Sequence, residues 1–251
     1  MHSTLFAHVP VESTDRYTLQ NPQLLKVDVN RGTGAILARQ GAMVAFEGQI
    51  EFDSQYRSRS WRNVERMTNE RLELMRCKGN GNVYLANFAQ HIHVMEVGQG
   101  ITVDSSSVLA FDGALGVGIV AVDSAVGVAS AGAYNLELTG AGKVALLTSG
   151  EPLVLEVTPD RNVCADADAV IAWSTSLHTQ MQAPTSTSAV WRRRGSTGEG
   201  WEMQFQGHGH VLVQPSELLP PQHLRSSGLL GQFGMGGGGL RGNSLGGGNR
   251  S

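Results

Sequence analysis

The sequence is poor in charge and nearly free of cysteine, and each scarcity excludes a class of protein. Charged residues make up 16% of the 251 residues, well below the usual quarter, and the net charge is −3. No global positive field therefore attracts nucleic acid or an anionic membrane. The two cysteines, Cys77 and Cys164, have no CxxC spacing, so we expect reduced, half-buried strand residues and no disulfide framework.

The sequence also lacks the segments that direct export or cross a membrane as a helix. Its N-terminus, MHSTLFAHVPVESTDRY, has neither a basic region nor an apolar core, so no signal peptide is predicted. The apolar stretch 114–133 has the length of a spanning helix, but Asp123 lies at its middle. We interpret this stretch as two strands joined by a turn of small residues. We expect a cytoplasmic protein and leave open a position at the periphery of a membrane.

What the sequence contains in quantity is glycine, in a GxG motif that recurs in GNGNVYLA, GAGKVALL and GHGHVLVQ. Apolar residues lie four and two positions before the first glycine and four and six positions after it. This period of two is typical of a half-buried strand, whereas a phosphate loop continues into a helix. We therefore predict structural glycines on the inward face of long, bent strands. The six glycines are Gly79, Gly81, Gly140, Gly142, Gly207 and Gly209.

A second motif, AMVAFEG, SVLAFDG and AVIAWST, aligns Phe46, Phe111 and Trp173 at spacings of 65 and 62 residues. The chain begins with the second motif and ends with a lone first motif, GHGHVLVQPSE, so the repeats are circularly offset. We predict an all-β domain, a β-sandwich or double-stranded β-helix-like fold, built from three circularly offset repeats of about 62–65 residues. We expect the C-terminal strand to pair back with the N-terminal copy and cover an open edge.

The chain divides into a lead-in segment (1–20), a single repeat-built β domain (21–224) and a glycine-rich tail (225–251). The tail holds 11 glycines and few apolar residues. Burial in such a segment does not offset the entropy lost on ordering, so we predict a disordered tail.

The GxGxVxLA strands, the AMVAFEG-type turns and the closing GHGHVLVQPSE resemble the altered inheritance of mitochondria twenty-four family, over about residues 20–218. The resemblance implies a β-sandwich or double-stranded β-helix related to the trp RNA-binding attenuation protein. It also implies an association of the mitochondrial members with inner-membrane organisation, and no established activity for the bacterial members. It therefore carries over no catalytic residue.

Two HxH pairs, His91/His93 and His208/His210, are the candidate metal ligands, because alternate residues of a strand share one face. Asn, Ala or Lys takes the places of the second pair in the other copies, which indicates solvated surface. No cysteine or carboxylate lies at a ligand spacing nearby in the sequence. We predict no cofactor and no metal site, and the question stays open for both pairs.

Two stretches, YRSRSWR (56–62) and WRRR (191–194), interleave aromatic residues with arginines, as surfaces that bind nucleic acid do. Acidic residues near both stretches reduce their net positive charge. We therefore interpret the two stretches as solvated loops and expect no nucleic-acid partner. Asp104 and the pair Asp166 and Asp168 fall at turns, where Asp bonds the nearby backbone. No GxSxG, HExxH or GxxxxGK[ST] motif is present, so we predict no catalytic residue and no enzyme.

These observations favour a non-enzymatic scaffold or assembly protein that forms a homo-oligomer. The stretch 114–133 is apolar on both alternating faces, so we expect an interface between copies or a membrane contact there. The alternative is a binding module for a small ligand or single-stranded nucleic acid, in a groove between repeats or through the arginine-rich loops. A metal-dependent enzyme would rest on the histidine pairs alone.

Overall fold

A computed structural model describes residues 3–32, 34–54, 73–124, 134–182 and 202–215. Two 3₁₀ turns, Thr4–Ala7 and Ser105–Ser107, are the helical elements of this part of the chain. The arginine-rich stretches, residues 125–133 and the tail lie outside the described residues. No helix among the described residues is both long enough and apolar enough to cross a bilayer.

Eighteen strands make up the remaining regular structure of the described chain. They are β1 (Tyr17–Asn21), β2 (Leu24–Asp28), β3 (Ile36–Arg39), β4 (Met43–Asp53), β5 (Leu74–Leu85), β6 (His91–Val97), β7 (Ile101–Val103), β8 (Val108–Asp112), β9 (Gly116–Ala121), β10 (Asp123–Ser124), β11 (Tyr134–Thr139), β12 (Gly142–Thr148), β13 (Leu153–Val157), β14 (Val163–Asp166), β15 (Val170–Ser174), β16 (His178–Gln182), β17 (Glu202–Gln206) and β18 (Gly209–Val213).

The strands form three sheets, which confirms the all-β prediction. The first sheet has the order β1-β2-β5-β3-β8-β12-β6, with β4 paired to β5 as well. The second sheet has the order β13-β18-β15-β7-β11-β9, and the third has the order β10-β16-β17-β14. β4 runs antiparallel along one edge of β5, while β3 and β2 share the opposite edge.

The register of the strands confirms the three-repeat organisation. The aromatic residue of each second motif lies opposite a valine four positions after a GxG motif begins: Phe46 opposite Val83, Phe111 opposite Val144 and Trp173 opposite Val211. Six residues further along, the pairs are Phe52 with Cys77, Val117 with Leu138 and Thr179 with Phe205. Each copy is therefore a two-stranded ribbon with the same register.

The described residues form three hydrophobic cores: the strands of the first sheet supply the first core, the first and second sheets share the second, and the second and third sheets share the third. Each core contains two apolar residues that flank one GxG motif at the same repeat positions. They are Val83 and Cys77 in the first core, Val144 and Leu138 in the second, and Val211 and Phe205 in the third. Full burial of one such side chain stabilises the fold by about 1.5–3 kcal/mol. The apolar residues that alternate along each GxG motif thus pack in a different core in each copy.

A long unbroken strand through the GxG motif forms in the first copy alone. There β5 runs through Gly79 and Gly81. In the other copies the chain bends at Gly140 and Gly207, with φ of +96° and +116°, and passes from one sheet to another. The prediction of a long inward strand is therefore wrong for these two copies, since each bend separates two strands. Gly79 is also exposed rather than inward.

The C-terminal strand does not return to the N-terminal copy, so that prediction is wrong. β18 lies between β13 and β15 in the second sheet. The cause is the ribbon itself: Val211 of β18 pairs with Trp173 of the preceding second motif and packs with it in the third core. The outer edge of β4 consequently has no strand partner within the described chain.

Both cysteines are free thiols, but neither is half-buried as predicted. Cys77 alternates into the first core and is fully buried, and burial raises its pKa to about 12. Cys164 is exposed on β14, where its neighbours Val163 and Ala165 take the side of the strand that faces the third core. One position therefore resembles a core hydrophobe and the other a surface residue.

Candidate interaction surface

The ribbon formed by β4 and β5 folds sharply at a glycine corner, which comprises Gly48, Gly79 and Gly81. Gly48 lies opposite Gly81 and has a φ of +87°. The rings of Phe46 and Phe52 meet edge to face with centroids 5.3 Å apart, although six residues of straight strand would separate them by about 20 Å. The two backbones therefore bend together at the glycines.

Side chains at this corner would collide with backbone. A Cβ on Gly81 would overlap the carbonyl oxygen of Glu47, and one on Gly79 would overlap that of Gln49. Both glycines also have positive φ, +132° at Gly79 and +144° at Gly81. The close approach needs residues without a side chain.

The remaining predicted glycines occupy two other environments. Gly142 and Gly209 begin β12 and β18, where an added Cβ would lie 3.0 Å from a Leu115 methyl and 2.7 Å from Cβ of Ser174, respectively. Gly140 has no neighbour within 4 Å of an added Cβ, so its requirement is conformational. The structural role predicted for all six stays a prediction about stability.

β4 exposes apolar side chains that its counterparts bury. Phe46 is 48% exposed, whereas Phe111 and Trp173, at the same place in the other copies, are 0% and 4% exposed. Val44 is 58% exposed, and its counterparts are buried as well. Large exposed hydrophobes on an 11-residue edge strand are a recognised association hazard.

In the other two copies a neighbouring strand covers the edge that β4 leaves open. β3 pairs with β8, so that Leu37 lies opposite Phe111, and β7 pairs with β15, so that Thr102 lies opposite Trp173. Among the described residues no strand pairs with the outer edge of β4. Phe46 is thus exposed on the one of the three equivalent strands that has no described partner at this edge.

β14 holds the place in the third copy that β3 and β7 hold in the others. Ile36, Ile101 and Val163 recur at spacings of 65 and 62 residues, and each lies opposite the apolar residue two positions before a GxG motif. β14 pairs with β17, and its other edge is unpaired within the described ranges. β4 and β14 are thus two open edges that fit one type of junction.

The apolar stretch 114–133 is described as far as residue 124. Leu115 and Val117 contact the second core, while Val122 belongs to the third. The two apolar faces of this described part therefore touch two different cores of the same chain. β9 still ends the second sheet, so its outer edge carries no described partner strand.

A buried ion pair that the sequence did not reveal joins β1 to the end of β8. Arg16 Nη1 lies 2.6 Å from Oδ1 of Asp112, and both residues are buried. The Tyr17 hydroxyl donates to the same oxygen at 3.1 Å, and the backbone N–H of Lys143 donates to Oδ2 at 2.8 Å. Burial raises the pKa of Tyr17, and the Asp112 charge adds to the increase. The group has the contacts of a structural clamp.

Two of the predicted turn aspartates, Asp104 and Asp166, bond the nearby backbone through their carboxylates. Asp104 accepts from the backbone N–H of Ser106 at 2.9 Å and from its hydroxyl at 2.7 Å. Asp166 accepts from the backbone N–H of Asp168 at 2.8 Å. Their carboxylates are therefore engaged in turns, as the sequence indicated.

The two histidine pairs lie in different surroundings. His208 and His210 are exposed, as predicted. His91 and His93 are half-buried on β6, and Glu151 lies 3.0 Å from His91 although it follows His93 by 58 residues. The pairing of β6 with β12 brings this carboxylate near, so no local spacing could have revealed it.

Comparison with known proteins gives a family and a fold. The sequence profile of the family described as Mitochondrial biogenesis AIM24 matches residues 17–216. No curated protein sequence matches. A crystal structure of a Streptococcus pyogenes protein is similar over 86% of this chain and 97% of its own, with a TM-score of 0.63 and 18% identity, which shows the fold alone. Since the profile match spans all three repeats, the chain belongs to the AIM24 family.

Proposed function

We propose that the protein is a non-enzymatic scaffold or assembly protein, and that its copies associate by pairing β4 of one with β14 of the next. The observation that carries the proposal is the exposure of Phe46 on a strand whose two counterparts are covered. An open edge offers a row of backbone donors and acceptors, and its apolar side chains gain burial when a strand is added.

The repeats supply the expected register. Leu37 opposite Phe111 and Thr102 opposite Trp173 define the junction in the first and second sheets. By the same alignment, Cys164 of β14 lies opposite Phe46 of another copy. Cys164 and Phe46 are both exposed in the single chain, so the pairing buries two surfaces that are now open to solvent.

This junction joins two different surfaces, so each copy keeps one free edge after the first contact. Such a head-to-tail contact builds a ring when its rotation closes and a filament when it does not. Either product is a repeating support of the kind that scaffold proteins provide. A cytoplasmic location is part of the proposal, and two free thiols agree with a reducing compartment.

The experiment replaces Phe46 with cysteine and uses Cys164 as its partner. Residues opposite each other in an antiparallel sheet have Cα atoms about 4.5–5.5 Å apart, which suits a disulfide. Under mild oxidation, we expect Phe46→Cys to form a ladder of covalent oligomers on a non-reducing gel. Adding Cys164→Ser should abolish the ladder. Phe88→Cys, exposed in the turn before β6, is the control and should give none.

Light scattering of the unmodified protein accompanies the cross-linking. We expect a mass above that of one chain, lowered by Phe46→Lys and unchanged by Leu5→Lys, a more exposed site in the 3₁₀ turn Thr4–Ala7. A monomeric parent whose Phe46→Cys variant forms only an intramolecular disulfide would contradict assembly. That result would instead mean that β4 pairs with β14 of the same chain.

A second contact surface is proposed along 114–133, as an interface between copies or a membrane contact. The unpaired outer edge of β9 supports it. Liposome flotation and light scattering of Val120→Lys, which lies on β9, test this surface separately from β4. A variant that keeps both the mass and the lipid binding of the parent would exclude it, and so would a variant that merely unfolds, because that result would place Val120 in the interior of the subunit.

The alternative function is a binding module for a small ligand or single-stranded nucleic acid. A cavity of about 140 Å³ between the second and third sheets supports the ligand version; its lining includes Thr102, Val120, Trp173 and His178. Ligand pockets usually have about 300–1,000 Å³, so this cavity fits only a very small molecule. A gel-shift titration against salt tests the nucleic-acid version, because phosphate contacts weaken steeply as salt rises.

A further inference from the structure

A cluster of metal-ligating side chains lies at the edge of the first sheet, away from β4. His91 and His93 are alternate residues of β6, so they share one face, while Ile92 between them is buried in the first core. β6 pairs with β12, with Thr148 opposite His91. Glu151 follows β12 in the next turn, so the strand pairing brings its carboxylate to the two imidazoles.

The three groups converge closely enough for one ion. A ring nitrogen of each histidine and a carboxylate oxygen of Glu151 all lie within 4.8 Å of one another. Ligands of one tetrahedral ion are about 3.4 Å apart, given metal–ligand bonds near 2.1 Å. The Glu151 side chain is 76% exposed and so has room to close the difference.

One ring nitrogen in the cluster is left without a hydrogen bond. Nδ1 of His91 is shielded from solvent and makes no hydrogen bond, although Oε1 of Glu151 is 3.0 Å away. Buried polar nitrogens in proteins are nearly always satisfied, so an unmet one requires an explanation. A cation held between the nitrogen and the carboxylate oxygen would satisfy both lone pairs.

The second imidazole is held by the kind of outer contact that metal ligands use. Nε2 of His93 lies 3.0 Å from the Thr148 hydroxyl, which itself donates to the Gly150 carbonyl at 2.7 Å. Such contacts fix the ring orientation of a ligand.

We propose that His91, His93 and Glu151 bind one divalent first-row metal ion, with Zn²⁺ as the best match. Two imidazole nitrogens and one carboxylate oxygen form a donor set that zinc accepts in proteins. Three protein ligands leave a fourth coordination position for water or for an outside donor. The site is independent of the β4–β14 junction, so either proposal stands or fails without the other.

The second histidine pair provides a matched control within the same chain. His208 and His210 have the same HxH spacing but are exposed, and Glu156 lies opposite His210 in the sheet. Among the residues that the structure describes, no group of three ligands other than the first cluster comes this close together. The comparison therefore separates a built site from the general affinity of exposed histidines for metal.

The experiment is a calorimetric titration of untagged, chelator-treated protein with Zn²⁺. We expect one ion per chain, and an affinity lowered about a hundredfold by His91→Ala or His93→Ala, since each removes a direct ligand. Glu151→Gln changes an exposed side chain and should lower affinity without affecting folding. His208→Ala combined with His210→Ala should leave the affinity unchanged.

Two further readouts make the outcome decisive. Co²⁺ in place of Zn²⁺ should give visible absorption bands of a low-coordinate site in the parent and not in Glu151→Gln. Zn²⁺ should raise the melting temperature of the parent, because a ligand that binds only the folded state stabilises it. Equal Zn²⁺ affinity for the parent and Glu151→Gln, or loss of binding in the His208 and His210 variant, would overturn the proposal.

Discussion

Single glycines at the corner between β4 and β5 decide how closely two backbones approach. We expect Gly81→Val to destabilise the protein by about 1–3 kcal/mol or more, because a Cβ there overlaps the Glu47 carbonyl oxygen and the φ of +144° disfavours any side chain. Gly142→Val should cost about 1–3 kcal/mol by crowding Leu115. Urea unfolding measures both.

Gly98→Ala is the control for these substitutions. An added Cβ at Gly98 meets no atom within 4 Å, and its φ lies outside the positive range. We expect its urea midpoint to match that of the parent. If Gly81→Val and Gly142→Val also match the parent, the glycines have no structural role.

The two cysteines differ enough in environment for a thiol reagent to separate them. At pH 8 and low protein concentration, we expect one thiol per native chain to react with a disulfide reagent, and two after denaturation. Cys77 is buried and its pKa of about 12 leaves little thiolate, whereas Cys164 is exposed. The count falls further at high protein concentration if β14 is covered by another copy. Rapid reaction of two thiols in the native protein would contradict the assigned burial.

At the scale of elements, the Arg16–Asp112 pair clamps β1 against β8. We expect Asp112→Ala to destabilise the fold by about 3–5 kcal/mol, because it leaves the buried Arg16 guanidinium without its counterion. The exposed pair Lys78–Glu51, also in close contact at 2.8 Å, is the control. Lys78→Ala should leave the urea midpoint almost unchanged, since water screens an exposed pair. Similar losses of stability in Asp112→Ala and Lys78→Ala would show that burial does not determine how strongly the Arg16–Asp112 pair stabilises the fold.

The strands themselves could be predicted from sequence because each carries its own alternation of apolar and polar residues. The register was also recoverable in part: the alignment of Phe46, Phe111 and Trp173 anticipated their equivalent pairing. The bend at Gly140 could not be predicted, because the apolar periodicity continues across it although the chain passes there from one sheet to another. The alternation of apolar and polar residues along a strand shows which of its faces is buried, but it does not show in which sheet the strand lies.

The site residues were harder to predict, for a related reason. Glu151 reaches His91 only through the pairing of β6 with β12, and Asp112 reaches Arg16 across 96 residues. Neither contact has a spacing in the sequence that marks it. The exposed edge of β4 also required the structure, since its motif is the same as those of its buried counterparts.

At the scale of the whole molecule, the glycine-rich tail should contribute nothing to folding. Its composition offers few apolar groups to bury, so we expect truncation after Arg225 to leave the melting temperature unchanged. Differential scanning calorimetry of the full chain and of the truncated chain makes the comparison. A drop of several degrees would mean that the tail packs on the β domain.

The position of β18 between β13 and β15 has a consequence for synthesis on the ribosome. The second sheet needs its last strand, Gly209–Val213, to join strands made some forty residues or more earlier. β13 and β15 therefore each have an edge whose backbone groups lack their partner strand until almost the whole β domain has left the ribosome. Because such non-local pairing is slow to form, we expect the nascent chain to be most prone to aggregation during this interval.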